Sequence, residues 1–254
     1  MKPVAELQDV RYAYHQPERE IVSLDHLSFS VFPGEFVCIV GPSGCGKSTL
    51  LALICGLIEP EAGSLILRTK HIGYMPQKDH LLEWRSIYRN AILGPEMQHK
   101  DTPEMKERIE FMLEAYGLAD FKNARPHELS GGMRQRAALI RTLAARPELL
   151  LLDEPFSALD YQTRLEVSDD IGSILRKEKR TAILVTHDLS EAISLGDRIL
   201  VLSRRPAKVI ASVPVTFAGE KDTGQLLSPL ERRNAPEFSG YFNQIWKELR
   251  EHGK

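Results

Sequence analysis

Hydrophobic and polar positions follow a strand-like pattern at the start of the chain and a mixed pattern of strands and helices afterwards. In the first thirty-odd residues, polar and apolar positions alternate, as in "LQDVRYAYH" and "LDHLSFSVF". This alternation predicts antiparallel strands. Short strands are then predicted at "FVCIV", "GSLILR", "HIGYM", "LLLLD" and "TAILVTH", and a hairpin at "RILVLSRRPAKVIASVPV". The pattern therefore favours an α/β protein with an antiparallel N-terminal region.

Helical spacing dominates the middle of the chain. The stretch "TPEMKERIEFMLEAYGL" is strongly amphipathic, and Thr102 with Pro103 provides an N-cap and a first-turn proline. We therefore expect a helical subdomain at about 78–146, inserted into the sheet-containing core. One more amphipathic helix is predicted in the tail, after a loose linker. These patterns divide the chain into a main domain, 1–215, and a short helical extension, 216–254.

Composition restricts the function classes without selecting one. The chain has 254 residues, 43% hydrophobic and 27% charged, with a formal charge of -2, so nothing in it favours nucleic-acid binding. The apolar run "LLALICGLI" is too short to span a bilayer, and no hydrophobic signal core is present near the start. We therefore expect a cytosolic protein. The three cysteines form no CxxC pair and predict free thiols, with Cys38 and Cys55 buried.

A phosphate-binding loop is the most specific motif. "GPSGCGKS", Gly41–Ser48, matches G-x-x-x-x-G-K-[ST] between a predicted buried strand and a helix. Glycines let the backbone wrap closely, so that successive N–H groups face the phosphates. In this arrangement Lys47 reaches the β- and γ-phosphates, and the Ser48 hydroxyl suits Mg²⁺.

Two adjacent carboxylates follow another buried strand. Asp153 ends the run "LLLLD", where a carboxylate is costly unless a cation compensates it, and Mg²⁺ is that cation. Glu154 comes next and suggests a division of roles, with Asp153 on the metal and Glu154 on the attacking water. The alternative is that Glu154 is an ordinary exposed acid at a strand end.

Three further features are ambiguous on the residues alone. His187 ends a predicted strand, the edge at which α/β sheets place ligands, although a lone histidine is usually a solvated or core residue. Gln77 ends another strand, and its amide could bridge Mg²⁺ or water. In "LSGGMRQR", Ser130 is a natural N-cap, and Gly131 and Gly132 permit close approach of an anion. Taken by itself, this stretch favours a simple capped helix.

Taken together, the motifs resemble those of one family. "GPSGCGKST", "MPQ", "LSGGMRQR", "LLLLDEP", "SALD" and "VTHD" occur in the order found in ATP-binding subunits of ABC transporters. The stretches "LLEWRSIYRNAILG", "DYQTRLEV", "LVLSRRPAKV" and "RRNAPEFSGYFNQIWKELRE" are similar to the ATPases of bacterial nitrate, sulfonate and taurine importers. The resemblance covers nearly the whole chain. It implies an ABC ATPase domain: a P-loop NTPase core with a mixed sheet, an antiparallel β-subdomain and an inserted helical subdomain.

The resemblance also implies roles for individual residues, with ATP and Mg²⁺ as cofactors. Adenine would stack on Tyr14 rather than Tyr12, and the phosphates would lie on the loop residues Gly41, Pro42, Ser43, Gly44, Cys45, Gly46, Lys47, Ser48 and Thr49. The metal ligands would be Ser48, Gln77 and Asp153, and the catalytic residues Glu154, His187, Gln77 and Lys47. Ser130, Gly131 and Gly132 would face the ATP held by a second subunit, and Asp160 would couple the two sites.

Partners follow from the same resemblance. It implies a homodimer that works with two integral membrane permease subunits at the cytoplasmic face of the membrane, indirectly with an extracytoplasmic solute-binding protein, and with no nucleic acid. Trp84 predicts a dock for the permease, or alternatively packs inside the helical subdomain. Glu83 replaces a proline common in relatives. The alternatives are an export ATPase, a non-transport ABC ATPase and a P-loop kinase, which would not need "LSGG".

Overall fold

The structure is a computed structural model that describes residues 1–157, 159–223 and 225–252. The strands are β1 (Ala5–Gln16), β2 (Arg19–Val31), β3 (Phe36–Val40), β4 (Ala62–Leu67), β5 (Ile72–Met75), β6 (Leu149–Asp153), β7 (Ala182–Val185), β8 (Arg198–Leu202) and β9 (Val209–Pro214). The helices are α1 (Lys47–Ile54), α2 (Ile87–Ala91), α3 (Leu93–Met97), α4 (Pro103–Ala115), α5 (Gly131–Ala144), α6 (Tyr161–Lys177), α7 (Leu189–Leu195), α8 (Ala218–Thr223), α9 (Pro229–Asn234) and α10 (Phe238–His252).

The alternating N-terminal residues form an antiparallel sheet, as the pattern predicts. Its strand order is β2-β1-β4, and both pairings are antiparallel. Apolar side chains such as Leu7, Val10 and Leu27 share one core cluster with Leu50 of α1. Because alternate residues of a strand point to opposite faces, the polar residues between them remain accessible to solvent. The sheet thereby lies beside the helix that follows the phosphate-binding loop.

The short apolar runs form the central sheet, with strand order β5-β6-β7-β3-β8-β9. Neighbouring strands are parallel except for β8 and β9, which form the predicted antiparallel hairpin. Strands β3, β6 and β7 are buried along their whole length. Parallel strands end at the same edge of a sheet, and ligand sites of α/β proteins lie there. The phosphate-binding loop, the Asp153–Glu154 pair and His187 therefore meet at one edge.

Helices α2 to α5 form the helical insertion expected at about 78–146. Thr102 caps α4 as predicted, since its Oγ1 accepts a hydrogen bond from the N–H of Met105 at 3.3 Å. Buried Asn90 fixes the entry to the insertion: its side chain accepts from the Leu82 N–H at 2.7 Å and donates to the Leu82 and Ser86 carbonyls. The mixed sheet with its antiparallel subdomain and inserted helices confirms the expected fold class.

The segment before the last helix is more ordered than the predicted loose linker. It contains α8 and α9, and α9 packs on α6 and α7. Arg232 of α9 is only 1% exposed; it donates to Glu220 from both Nε and Nη2 at 2.9 Å and to the Gly196 carbonyl at 2.7 Å. Short polar helices have a weak sequence signal, so this long-range ion pair was not predictable. The division at 215/216 stays a prediction.

Two smaller expectations concern the burial of the cysteines and the absence of a membrane-spanning helix. Cys38 is buried in the core, as expected, whereas Cys55 is only half-buried at the end of α1. Within residues 1–157, 159–223 and 225–252, no helix has the length and apolar character needed to cross a bilayer.

Candidate nucleotide site

The phosphate-binding loop leaves the start of α1 without a side-chain cap. The N-cap residue is Gly46, whose φ of 130° is a conformation that suits glycine, and no side chain accepts from the first turn. A Cβ at this position would lie 2.9 Å from Leu24 Cδ2 and 3.0 Å from the Ser23 carbonyl oxygen. Uncapped N–H groups at a helix start attract an anion. The backbone N–H groups at the start of α1 therefore have no side-chain acceptor in the loop.

Lys47 adds a positive charge to this helix start. The side chain is 6% exposed, and its Nζ donates to the carbonyls of Gly41 at 2.8 Å and Pro42 at 3.1 Å. These acceptors are neutral, and no described carboxylate forms an ion pair with the ammonium group. A buried cation without an anionic partner is costly, and a phosphate oxygen would compensate it.

A cavity of about 370 Å³ opens in front of the loop. Its lining residues come from the loop, the antiparallel sheet, the ends of β5 and β6, and the β8–β9 hairpin: Tyr14, Ser23, Ser43, Gly44, Gly46, Lys47, Ser48, Thr49, Gln77, Glu154 and Arg205. The lining thus combines an aromatic residue with polar, basic and acidic groups. This is the chemical distribution that a base followed by a phosphate chain requires.

Tyr14 is the aromatic residue at the cavity. Its ring is 44% exposed, and its hydroxyl lies 3.1 Å from Thr49 Oγ1, to which Ser23 Oγ also donates at 3.2 Å. Tyr12 packs edge-on against Tyr14, with ring centroids 5.1 Å apart, and does not line the cavity. Of the two tyrosines, Tyr14 is therefore the one that lines the cavity.

Two predicted polar residues converge on the carboxylate of Glu154. Its Oε2 accepts from Gln77 Nε2 at 3.1 Å and lies 3.3 Å from His187 Nδ1. The backbone of Glu154 has φ 45°, an unusual left-handed conformation. It is held there because its N–H donates to the Val185 carbonyl at 2.8 Å and its own carbonyl accepts from Ser157 Oγ at 3.0 Å. The carboxylate is therefore a fixed part of the cavity wall.

Asp153 lies deeper than its neighbour. It is 5% exposed, and burial raises the pKa of its carboxyl group, while a hydrogen bond with Ser48 opposes that shift. Tyr74 donates to Asp153 Oδ2 at 3.4 Å, and burial raises the pKa of this tyrosine to about 12. A buried carboxylate beside a hydroxyl is a set of hard oxygen donors that fits Mg²⁺.

The second glycine-rich helix start lies outside the cavity. Ser130 is exposed, and its Oγ accepts from the N–H of Met133 at 3.4 Å, so that it caps α5. A Cβ on Gly132 would lie 2.9 Å from Thr163 Cγ2 of α6, which gives this glycine a packing role within the chain. Asp160 caps α6 by accepting from the N–H of Thr163 at 3.1 Å. Ala158 of "SALD" lies outside the described residues.

The predicted residues thus separate into groups. The cavity brings together Tyr14, Ser43, Gly44, Gly46, Lys47, Ser48, Thr49, Gln77 and Glu154, with Asp153 and His187 directly beside it. Gly41, Pro42 and Cys45 do not line it; Cys45 is 2% exposed, and its side chain belongs to the core. Ser130, Gly131, Gly132 and Asp160 lie on other helix starts.

Sequence reasoning missed Ser23, Tyr74 and Arg205. Ser23 and Arg205 line the cavity, and Tyr74 holds Asp153. Their positions depend on how distant strands pair, because β5 lies beside β6 and the β8–β9 loop lies against β2. The only sequence signal was the "SRRP" stretch in the predicted hairpin, which placed two arginines in a tight turn.

The segment after Gln77 is bound to α5. Arg134 of α5 donates to Asp79 at 2.9 Å and to Glu83 at 3.0 Å, and Arg141 donates to the Asp79 carbonyl at 2.6 Å. Glu83 thus forms an ion pair with Arg134. Trp84, next to it, is 71% exposed. The alternative in which this aromatic ring packs inside the insertion is therefore wrong.

Comparison with known proteins identifies the family of the chain. The family model described as "ABC transporter" matches residues 24–157. The ABC transporter ATP-binding protein YtlC of Bacillus subtilis is 41% identical, over 94% of this chain and 93% of the relative. The aliphatic sulfonates import ATP-binding protein SsuB of Bacillus subtilis is 36% identical (93% and 91%), and the nitrate import ATP-binding protein NrtD of Synechocystis is 34% identical (96% and 94%).

Solved structures show the same architecture. The dimeric structure of MJ0796, a bacterial ABC transporter cassette, has a TM-score of 0.73 at 29% identity and covers 84% of this chain and 99% of that one. A post-hydrolysis dimer of the same cassette with ADP and Pi has a TM-score of 0.72 at 27% identity, over 84% and 99%. The chain belongs to the ABC transporter ATP-binding protein family and is an ABC-type ATPase.

Proposed function

We propose that this ATPase powers an ABC importer for a small solute of the nitrate, sulfonate or taurine class. The observation that carries the proposal is the convergence of Gln77 and His187 on the Glu154 carboxylate, at the mouth of a cavity that begins with a phosphate-binding loop. This arrangement suits hydrolysis, because it places a base where water could approach the last phosphate.

ATP would occupy the cavity from Tyr14 to Glu154. The adenine ring stacks on the exposed face of Tyr14, and the phosphates bind backbone N–H groups of the loop residues that line the cavity, Ser43, Gly44 and Gly46 to Thr49. Lys47 exchanges its carbonyl acceptors for β- and γ-phosphate oxygens, which compensate its charge.

The residues around Asp153 fit Mg²⁺. Ser48 and Asp153 offer oxygen donors that already hydrogen-bond to each other, and Gln77 brings an amide oxygen within the same region. When bound, the ion supplies positive charge that neutralises the phosphate oxygens. Asp153 then stays ionised despite its burial.

Glu154 would act as the general base. It accepts the proton of the attacking water, while Gln77 and His187 orient that carboxylate and the water. His187 also lies within reach of a γ-phosphate at the carboxyl edge of β7, and there its ring donates to a phosphate oxygen. The division of roles between Asp153 and Glu154 follows from their burial, since only Glu154 lines the cavity.

A second copy of the chain would complete the site. Ser130, Gly131 and Gly132 are too remote to line their own chain's cavity, and Asp160 lies on the neighbouring helix start. The dimeric MJ0796 structures support a homodimer. In that dimer these residues would face the partner's nucleotide. Asp160 would then couple the two sites across the dimer.

Membrane partners account for the exposed surface of the insertion. Two integral membrane permease subunits would dock at Trp84, whose loop is joined through Arg134 to α5, and an extracytoplasmic solute-binding protein would deliver the solute. The ATPase would then sit peripherally on the cytoplasmic face of the membrane. In this scheme 1–215 is the ATPase domain and 216–254 a helical extension.

Uptake in intact cells tests the proposal. A deletion strain should lose accumulation of labelled nitrate or taurine, and the wild-type gene should restore it while the Glu154→Gln gene does not. Unchanged uptake of both classes in the deletion strain would contradict the importer assignment. Release of a preloaded solute that depends on the gene would favour the export alternative instead.

A further inference from the structure

The candidate nucleotide cavity contains a second cation, far from the phosphate-binding loop in the sequence. Arg205 belongs to the loop 203–208 between β8 and β9 and lines the cavity together with Tyr14 and Ser23. Its side chain is exposed. The stretch "LVLSRRPAKV" contains this residue, but none of the expected site roles includes it.

The loop that carries Arg205 is fixed at both of its ends. The Ala207 N–H donates to the Ser23 carbonyl at 2.8 Å, and the Asp25 N–H donates to the Ala207 carbonyl at 3.1 Å. Ser203 closes the loop, because its Oγ accepts from the Lys208 N–H at 3.0 Å. Arg205, two residues before Ala207, therefore lies on the β2 side of the cavity.

That side is the one formed by Tyr14, since β1 pairs with β2 and Tyr14 lies opposite Ile21. Glu154 and Gln77 come from the ends of β6 and β5, at the other side of β3 in the central sheet. Arg205 is thus placed near the nucleoside end of the cavity and away from the hydrolytic end.

Two neighbouring cations on the same side, Arg11 and Lys208, already have acidic partners. Arg11 pairs with Glu20 at 2.6 Å and with Glu61 at 3.0 Å, and Lys208 pairs with Asp25 at 3.0 Å. Among the described residues, Arg205 forms no ion pair or hydrogen bond through its guanidinium group. This group presents a planar set of donors that fits phosphate oxygens, often two at a time.

The geometry points to Arg205 as the residue that binds the α-phosphate of a bound 5′-nucleotide. The inference rests on the proposed nucleotide position, with the base on Tyr14 and the terminal phosphates at Lys47. Between these two groups lies the α-phosphate, and Arg205 is the cavity cation on that side. Arg205 would therefore contribute to affinity for every 5′-nucleotide, whatever the number of its phosphates.

Binding of ATP, ADP, AMP and adenosine, measured by displacement of a fluorescent ATP analogue without Mg²⁺, tests this inference. Arg205→Ala should raise the Kd of ATP, ADP and AMP by a similar factor of about 10, the lower end expected for loss of a hydrogen bond to a charged group. Adenosine binding should not change. Arg205→Lys, which keeps the charge, should lie between wild type and the alanine variant.

Arg204→Ala is the matched control, since Arg204 is an exposed neighbour in the same loop that does not line the cavity. This variant should bind all four compounds like wild type. An equal loss of adenosine affinity in Arg205→Ala would mean that Arg205 contacts the base and not a phosphate. An unchanged ATP affinity in this variant would mean that Arg205 does not belong to the site. Either result overturns the inference, whereas a wild-type protein that binds no ATP would overturn the proposed function itself.

Discussion

The two glycine-rich helix starts of this protein, at α1 and at α5, have similar sequences and different surroundings. At α1 no side chain caps the first turn, and Lys47 is buried beside it with only carbonyl partners. At α5 the Ser130 hydroxyl caps the helix, and the start is exposed to solvent. One start lacks a side-chain acceptor and faces the candidate nucleotide cavity. The other supplies its own acceptor and does not line that cavity.

Glycines before a helix only permit an anion to approach. Whether an anion binds depends on the walls around the helix start, and these come from distant parts of the chain. Packing against Thr163 is by itself a sufficient reason for glycine at position 132. If the α5 start has a phosphate ligand, a second molecule must therefore bring it.

Hydrolysis at the α1 side should respond most strongly to mutation. In Glu154→Gln the hydrogen bond from Gln77 remains sterically possible, but the amide cannot accept a proton. ATP turnover should therefore fall about 10²–10⁴-fold. ATP binding should change little, because the amide keeps the shape of the side chain. A phosphate-release assay beside a binding titration measures both. Turnover within a few-fold of wild type would exclude Glu154 as the base.

Nucleotide affinity should distinguish the two helix starts next. Lys47→Ala removes the buried ammonium group, so the Kd of ATP should rise about 10- to 100-fold. Ser130→Arg, measured on dilute monomer, should leave the Kd unchanged because α5 does not line its own chain's cavity. Lys247→Ala, a change at an exposed lysine of α10, controls for net charge. Equal losses in Lys47→Ala and Ser130→Arg would contradict the distinction.

Mixing two inactive variants tests whether the two helix starts contribute to one shared site. Ser130→Arg blocks the α5 start, and Glu154→Gln lacks the base, so each homodimer has a lesion in both of its sites. In a mixed dimer both lesions lie in one of the two sites, and the other site is intact. Statistical mixing should therefore restore about a quarter of wild-type turnover, since half of the dimers have one working site.

Asn123→Arg is the control for the mixing experiment, because it places an arginine on an exposed part of the same insertion. This variant should be active without mixing. Restored turnover cannot arise if each chain works alone. If dimers form in the mixture, as gel filtration can show, and turnover stays absent, the shared site is rejected.

The smallest effect should be on stability. Ser130→Ala removes the cap of α5 and should lower the free energy of unfolding by about 1 kcal/mol. Thr102→Ala removes the equivalent cap of α4 and should cost a similar amount. Urea unfolding of both variants measures the difference. A much larger loss for Ser130→Ala would mean that this serine has a further role inside its own chain.

Contiguous signals account for what the sequence could predict. The apolar runs, the alternating N-terminal strands and the loop Gly41–Ser48 each depend on residues close together in the chain. The carboxyl edge of the parallel strands then brought Asp153, Glu154 and His187 together, as the sheet rule requires. The fold class and much of the candidate site could therefore be predicted from local patterns and one topological rule.

The remaining features depend on pairing between distant segments. Arg205 reaches the cavity because Ala207 bonds to β2, and Tyr74 reaches Asp153 because β5 lies beside β6. The predicted loose linker contains ordered helices because Arg232 donates hydrogen bonds to Glu220 and to the Gly196 carbonyl. No local pattern specifies such partners. Trp84 shows the same limit, since its large apolar ring was compatible with either burial or exposure.

The left-handed backbone of Glu154 has a consequence for the evolution of this protein. A side chain other than glycine in this conformation costs on the order of 1–3 kcal/mol, so the position stores strain. Glycine there would relieve the backbone and remove the carboxylate at once. With Glu154 as the general base proposed above, selection for heat resistance alone would favour an inert protein. Under that proposal, stability and activity oppose each other at a single position.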